Sequence, residues 1–244
     1  MHRFFVMPPG EDGRVMVEGA DARHAQRVLR LVEGDRFIAV IEGQGQFIAR
    51  IAGTGPLKIS AVVERAVEAA TEPGTEVWLF QCMPKADKMD AIIQRATEIG
   101  VAAIVPVLSS RTVPRPDTEG SRTRRARWRK IAVESAELSG RLRAPQVAEQ
   151  VDFARALEMS RDFDLRLMPW EQERARSLRQ ALGGARPSRV FLLIGPEGGF
   201  SEQEAAQALE EGVLPVTLGP RMMRTENAGA AALSIILYEL GDMG

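Results

Sequence analysis

Two turns in the second half of the chain carry the residues best suited to chemistry. In the first, the apolar run Val190-Phe191-Leu192-Leu193-Ile194 leads into Gly195-Pro196-Glu197-Gly198-Gly199-Phe200, and Ser201 opens a helix. Glycines at a strand-to-helix turn let backbone amides approach a ligand, and the proline stiffens the path. A tight turn that only needs glycine would use the same residues. In the second, Leu218-Gly219-Pro220-Arg221-Met222-Met223-Arg224-Thr225-Glu226-Asn227 sets two arginines and a glutamate before a helix of small and apolar residues, 228–240. Carboxylates at Glu197 and Glu226 suit proton abstraction; Arg221 and Arg224 suit a developing oxyanion or a phosphate. Each glutamate also has a plainer use. Glu197 can bond loop amides, and Glu226 can cap the helix or pair with an arginine. Two charged Gly-Pro turns after successive strands nevertheless point to a ligand site at the carboxyl edge of a sheet.

Other chemistries are excluded by missing residues. No phosphate-binding G-x-x-x-x-G-K-[ST] loop, dinucleotide G-x-G-x-x-G turn or G-x-S-x-G elbow occurs. Cys82 is the one cysteine, so neither an intramolecular disulfide nor a Cys-based zinc site can form. His2 and His24 are too few for a His-rich metal site. No apolar run near the N-terminus is long enough for a signal peptide, and nowhere do 18 apolar residues run together. The expectation is a soluble cytoplasmic protein without metals. The 32 basic and 33 acidic side chains nearly cancel, and the basic ones are four lysines and 28 arginines. A near-neutral chain can still carry a basic face, so placement matters more than the sum.

The 244 residues, 45% of them hydrophobic, suffice for one large domain or two small ones. Residues 1–72 read as β-rich. Short apolar runs at 3–6, 37–41 and 47–51 are strands, the last two joined by a hairpin at Glu42-Gly43-Gln44-Gly45. Residues 59–66 form another strand, and Asp21 caps a short helix running to Leu31. Thr71-Glu72-Pro73-Gly74 punctuates the chain, and from there strands alternate with helices. Strands are expected at 77–80, 101–107, 164–169, 190–194 and 213–218. The helix over 85–100 carries Met89, Ile92, Ile93 and Ala96 on one face. Ser201 and Glu204 form a capping box. Apolar strands separated by helices imply an α/β domain with a parallel sheet over residues 73–244.

These residues resemble a known family. IGPEGGFS (194–201), LGPRMMRTENA (218–228), MPKADKMDAIIQRATEIGV (83–101) and ESAELSGR (134–141) are similar, in family order, to the ribosomal RNA small subunit methyltransferase E family. The resemblance extends from RFFV (3–6) to the last helix; Leu138 departs from it where the family often has glutamine. It implies a SPOUT-class α/β domain with a trefoil knot, an N-terminal β-barrel-like (PUA-like) RNA-binding domain, and a homodimer. It implies methylation of uridine N3 in 16S rRNA by S-adenosylmethionine. The cofactor would sit among three loops that contain Met168, Pro169 and Trp170, then Ile194, Gly195, Gly198 and Gly199, then Leu218, Gly219, Met223, Arg224 and Thr225. Glu197 and Glu226 remain alternatives as base, with Arg221 and Arg224 as stabilising cations. The rival reading is an RNA-binding ribosome assembly factor with a non-catalytic cofactor pocket.

Two basic segments are the expected RNA contacts. Arg23, Arg27 and Arg30 fall at i, i+4, i+7 on one helix face, with Ala25, Val28 and Leu29 toward the other. Between Arg111 and Lys130 lie eight basic residues, Arg115, Arg124 and Arg125 among them, against Asp117 and Glu119. Trp128 offers a stacking surface or a core residue. Arg3 is a further expected contact. Replacing Arg23, Arg27 and Arg30 together is expected to weaken RNA binding and flatten its salt dependence while cofactor affinity holds, measured by titration at several salt concentrations. Parallel loss of both affinities would mean misfolding instead.

Overall fold

A computed structural model describes residues 1–10, 12–112 and 118–243, without the side chains of 118 and 119. The chain divides into two compact units. One comprises Met1–Glu72 with Ala136–Ala144, the other Pro73–Ser135 with Pro145–Gly244.

The first unit contains β1 (Arg3–Phe5), β2 (Arg14–Glu18), α1 (Gly19–Arg27), β3 (Arg36–Ile41), β4 (Gly45–Gly55) and β5 (Lys58–Val67). Its sheet has the order β1-β3-β4-β5-β2, antiparallel except where β1 pairs with β3. Shifts of register in β4 at 48/49 and 51/53 help the long strands curl around a core of Phe4, Val15, Phe37, Ile51 and Ile59. The helix α1 differs from expectation. It begins at Gly19, so Asp21 lies in its first turn instead of capping it, and it stops at Arg27. Leu31 N then donates to Ala25 O, and Leu29 and Leu31 fold back onto the core. Arg30, with φ +55°, therefore leaves the helical stripe, while Val28 is turned outward at 65% exposure.

Residues 136–144 join this first unit, although they sit in the middle of the second domain by sequence. Glu72 supplies a reason: its Oε2 lies 2.7 Å from Arg141 Nη2, and its Oε1 accepts from Leu142 N at 2.8 Å. Arg143 Nε adds a third bond at 3.1 Å, and Arg3 Nη1 donates to Gly140 O. Arg3, expected to contact RNA, thus has a structural bond to make.

The second unit holds β6 (Glu76–Cys82), α2 (Lys88–Ile99), β7 (Ala103–Leu108) and α3 (Thr118–Ser139), whose end falls in the first unit. Two short strands, β8 (Gln146–Val147) and β9 (Val151–Asp152), precede α4 (Phe153–Ser160) and β10 (Leu165–Pro169). Then follow α5 (Leu178–Leu182), β11 (Arg189–Ile194), α6 (Glu202–Glu210), β12 (Leu214–Val216) and α7 (Thr225–Leu240). The sheet is parallel throughout, in the order β12-β10-β11-β6-β7-β8, with β9 also on β7. Cores cover both faces: α2, α5 and α7 pack on one, α4 and α6 on the other. Met89, Ile92, Ile93 and Ala96 are the buried face of α2 as expected, and Trp128 is a core residue.

Because β12, β10 and β11 are parallel neighbours, the loops that leave them gather at one edge. The segment after β12 does not run outside that edge. Thr217 N donates to Arg176 O at 2.8 Å and its carbonyl accepts from Leu178 N, so the chain passes alongside the β10–α5 connection. It then reaches Gly195 at the end of β11, and α7 packs against α2, β6 and α5. The SPOUT-class fold implies that this path is threaded as a trefoil knot, a topology that folded chains otherwise avoid. Among the described residues no helix is long and apolar enough to cross a membrane.

The Glu72 cluster gives a direct prediction. Burial alone would raise the Glu72 carboxyl, but the bonds from Arg141, Leu142 N and Arg143 outweigh it and hold the group below the usual carboxylate range. Its stabilisation is complete above that range and lost as pH falls through the depressed value. Glu72→Gln is expected to cost about 1–3 kcal/mol at pH 7 in urea unfolding and to flatten the loss of stability on acidification.

Candidate functional site

At the end of β11 the chain turns through 195–200. A Cβ on Gly195 would stand 3.2 Å from the Phe200 ring, which is itself 1% exposed and part of the core. Gly199 has φ +66°, and a Cβ there would run into the Glu171 carboxylate. Close approach of the Phe200 ring favours glycine at 195, and the left-handed backbone favours it at 199. Ser201 and Glu204 form the expected capping box of α6, and Glu204 Oε1 also accepts from Ser110 N at 2.7 Å.

The second turn, 217–224, is closed by Gly219 N donating to Thr217 Oγ1 at 3.1 Å. Arg224 is the extended N-cap of α7, and Thr225 begins the helix. The Thr225 hydroxyl donates to Gly195 O at 2.6 Å and accepts from Gln81 Nε2 at 3.0 Å. Gln81, fully buried at the end of β6, also donates to Cys82 O. One buried hydroxyl therefore ties together the ends of β6, β11 and the β12–α7 turn.

Between these turns and the loop after β10 lies a cavity of about 480 Å³. Three segments line it: 169–171, 194–200 and 217–225, joined by Arg174 and Ala228. Of the residues expected to bind a cofactor, only Met168 is missing from the lining, because its side chain is fully buried in the core beneath. The volume lies within the roughly 300–1,000 Å³ of small-molecule sites. Trp170 also lines it, and its buried Nε1 has no hydrogen-bond partner among the described residues. Apolar Ile194, Leu218 and Met223 and close-set glycines suit a flat, partly polar ligand.

The charged side chains are distributed unequally. Arg221 and Arg224 are exposed, line the cavity and make no ion pair among the described residues. Glu197 also lines it, but both its oxygens accept from Lys85 N, at 3.1 and 3.2 Å, and Oε1 takes Lys88 Nζ at 2.8 Å. Burial alone would raise the Glu197 carboxyl; Lys88 and the loop amides outweigh it and hold the group below its ordinary value. Glu226 lies outside the lining, with Oε2 buried 3.4 Å from Lys88 Nζ. Lys88 was not singled out from sequence, although it sits in the PKADK segment that follows a strand end.

The chain resembles known proteins over both units. The profile of the RNA methyltransferase domain matches residues 70–237, and that of the RNA methyltransferase PUA domain matches 17–64. The chain belongs to the RNA methyltransferase family. This methyltransferase is 32% identical to ribosomal RNA small subunit methyltransferase E of Bacillus subtilis, over 91% of its own chain and 89% of that one. It is 31% identical to the protein of the same name from Synechocystis, over 92% and 73% of the two chains. A crystal structure of the Neisseria gonorrhoeae ribosomal RNA small subunit methyltransferase E, bound to S-adenosyl methionine, matches with TM-score 0.83 and 30% identity, covering 97% and 96%. A Legionella pneumophila methyltransferase structure with bound SAM matches with TM-score 0.87 and 26% identity over 98% of each chain.

The basic residues expected on RNA divide into two groups. Arg23, Arg27 and Arg30 are exposed. In the methyltransferase unit several are already engaged: Arg111 donates to Gly198 O, Arg124 to Gly120 O, Arg125 to Val147 O and Glu149, and Arg127 to Asp90. Arg111 is thus a brace on the first glycine turn. Arg115 and Asp117 lie outside the described residues, as does the Glu119 side chain; Leu138 is 85% exposed.

The shared hydroxyl can be tested. Thr225→Val is expected to cost about 1–3 kcal/mol in urea unfolding, because it strips a partner from buried Gln81 and from Gly195 O. Thr225→Ser keeps the hydroxyl and is expected to stay within about 1 kcal/mol of the parent.

Proposed function

We propose that this methyltransferase transfers a methyl group from S-adenosylmethionine to N3 of a uridine in 16S rRNA of the small ribosomal subunit, in the cytoplasm and as a homodimer. The observation that carries this reading is the lining of the cavity: glycine turns and apolar side chains beside Arg221 and Arg224, which make no ion pair among the described residues. The name shared by the relatives supports the substrate, and the cofactor in two similar solved structures supports the donor. On α7, Ile235 is half-buried and Tyr238 is 63% exposed, an apolar strip that suits a second copy of the chain. Exposed Arg23 and Arg27 on α1, with Arg30 just beyond, suit an RNA backbone.

When bound, S-adenosylmethionine supplies an already activated methyl group. Backbone groups of 194–200 and 218–225 would hold the cofactor, with Ile194, Leu218 and Met223 as apolar walls. Positioning for in-line attack supplies much of the rate. The remaining demand is that the N3 proton leave and the resulting uridine anion be tolerated. Arg221 and Arg224 are placed for that task, since fixed cations in a partly closed site favour developing negative charge. The proton then passes to water. Glu197 is committed to Lys85 N and Lys88 and held below its ordinary value, which makes it a weak base. Glu226 faces Lys88 instead of the cavity. The arginines are therefore assigned the larger role.

The deciding experiment uses labelled S-adenosylmethionine and small subunits that lack the modification, with digestion to nucleosides and mass identification. Label in 3-methyluridine is expected; label in another nucleoside, or none, would overturn the reading. In the same assay Arg224→Ala is expected to lower kcat by about 10²-fold or more. Glu226→Gln is expected to fall short of the roughly 10²-fold loss that removing a general base causes.

A further inference from the structure

Opposite charges gathered at one site ordinarily pair with one another. Here they do not. Glu197 lies 2.8 Å and Glu226 3.4 Å from one nitrogen, Lys88 Nζ, while Arg221 and Arg224 make no ion pair among the described residues. Lys88 begins α2, outside the glycine turns, and reaches the first turn through Glu197 and the second through Glu226. Glu226 Oε2 is shut off from solvent and has no hydrogen-bond partner among the described residues, so the ammonium is its compensating charge. A buried carboxylate without such a partner is costly. The other neighbours do not replace it. Arg95 of α2 donates to the Glu226 carbonyl and Asn227 Oδ1, and Lys85 offers its backbone amide to Glu197. Glu171 packs against Gly199 and makes no ion pair among the described residues.

We propose that Lys88 is a positioning residue: by gathering Glu197 and Glu226 onto one ammonium, it keeps both carboxylates off Arg221 and Arg224 and leaves those guanidiniums open to a substrate anion. Without the ammonium, the Glu197 carboxylate lines the same cavity as two arginines on an exposed turn, and Glu226 stands in the first turn of the helix that follows them. Freed to turn, the carboxylates pair with the arginines and mask the cations that the reaction needs. The need for free arginines rests on the function proposed above; the sorting of charges does not.

The test reads the arginines directly. Phenylglyoxal modification of Arg221 and Arg224 is followed site by site by peptide mass in the full-length protein. Lys88→Met is expected to slow both sites about two- to fivefold, as a partly exposed ion pair would. Lys88→Arg keeps the parent rates, and adding Glu197→Gln and Glu226→Gln to Lys88→Met restores them. Unchanged rates in Lys88→Met, or no recovery in the triple variant, would overturn the proposal. A check that needs no lysine variant to fold is Glu197→Gln with Glu226→Gln beside intact Lys88. Those rates should stay at the parent level; a rise would show that the carboxylates already sat on the arginines and would overturn the proposal. Methyl transfer is read in parallel. Lys88→Met is expected to lose about tenfold or more in kcat, partly regained in the triple variant. A lysine that only braced the fold would give no such rescue. Recovery of arginine reactivity without recovery of methyl transfer would support the charge sorting and remove the arginines from the chemistry.

Discussion

The site depends on one buried hydroxyl. Thr225 Oγ1 donates to Gly195 O at 2.6 Å and accepts from Gln81 Nε2 at 3.0 Å, which joins three chain segments far apart in sequence. Those segments reach one place because β11, β6 and β12 are parallel and end at the same edge of the sheet. An ordinary crossover would leave the β12–α7 turn free at the rim. Here the segment is threaded alongside the β10–α5 connection, with Thr217 bonded to Arg176 and Leu178 before Thr225 is reached. The knot converts a surface loop into a wall of the cavity, and the hydroxyl sets its register.

A second constraint is electrostatic. Under the function proposed above, the cavity must hold a cationic cofactor and still offer cations to the nucleobase that attacks it. Glu197 turned onto the arginines would neutralise them, and its loss would remove the bonds that brace the first turn. In the role proposed for it, Lys88 reconciles the two demands through its contacts with Glu197 and Glu226. Arg111, bonded to Gly198 O, braces the same turn without adding an uncompensated carboxylate.

Much of the site was legible in the sequence because its signals are local. The Gly195–Phe200 turn, the Ser201–Glu204 box and the buried face Met89-Ile92-Ile93-Ala96 each follow from residues a few positions apart. What could not be read is non-local. The bond network of Glu72 draws 136–144 into the first unit across 69 positions or more. Arg30 looked helical by spacing, but Leu29 and Leu31 bury better if the helix stops at Arg27. Arg125 looked like a surface cation, and only the fold brings Val147 O and Glu149 to it. The knot has no signature in periodicity at all; the family resemblance alone suggested it. Lys88 escaped notice because a lysine at a helix start is commonplace until its two carboxylates arrive from β11–α6 and α7.

The most direct measurement is a crystal structure of the protein with S-adenosylhomocysteine and a uridine-containing rRNA fragment. The account predicts the cofactor product among 169–171, 194–200 and 217–225, with Lys88 still on Glu197 and Glu226 and with Arg221 or Arg224 on the uridine. A cofactor product bound elsewhere, or the arginines closed onto Glu197 while the uridine lies apart, would contradict it.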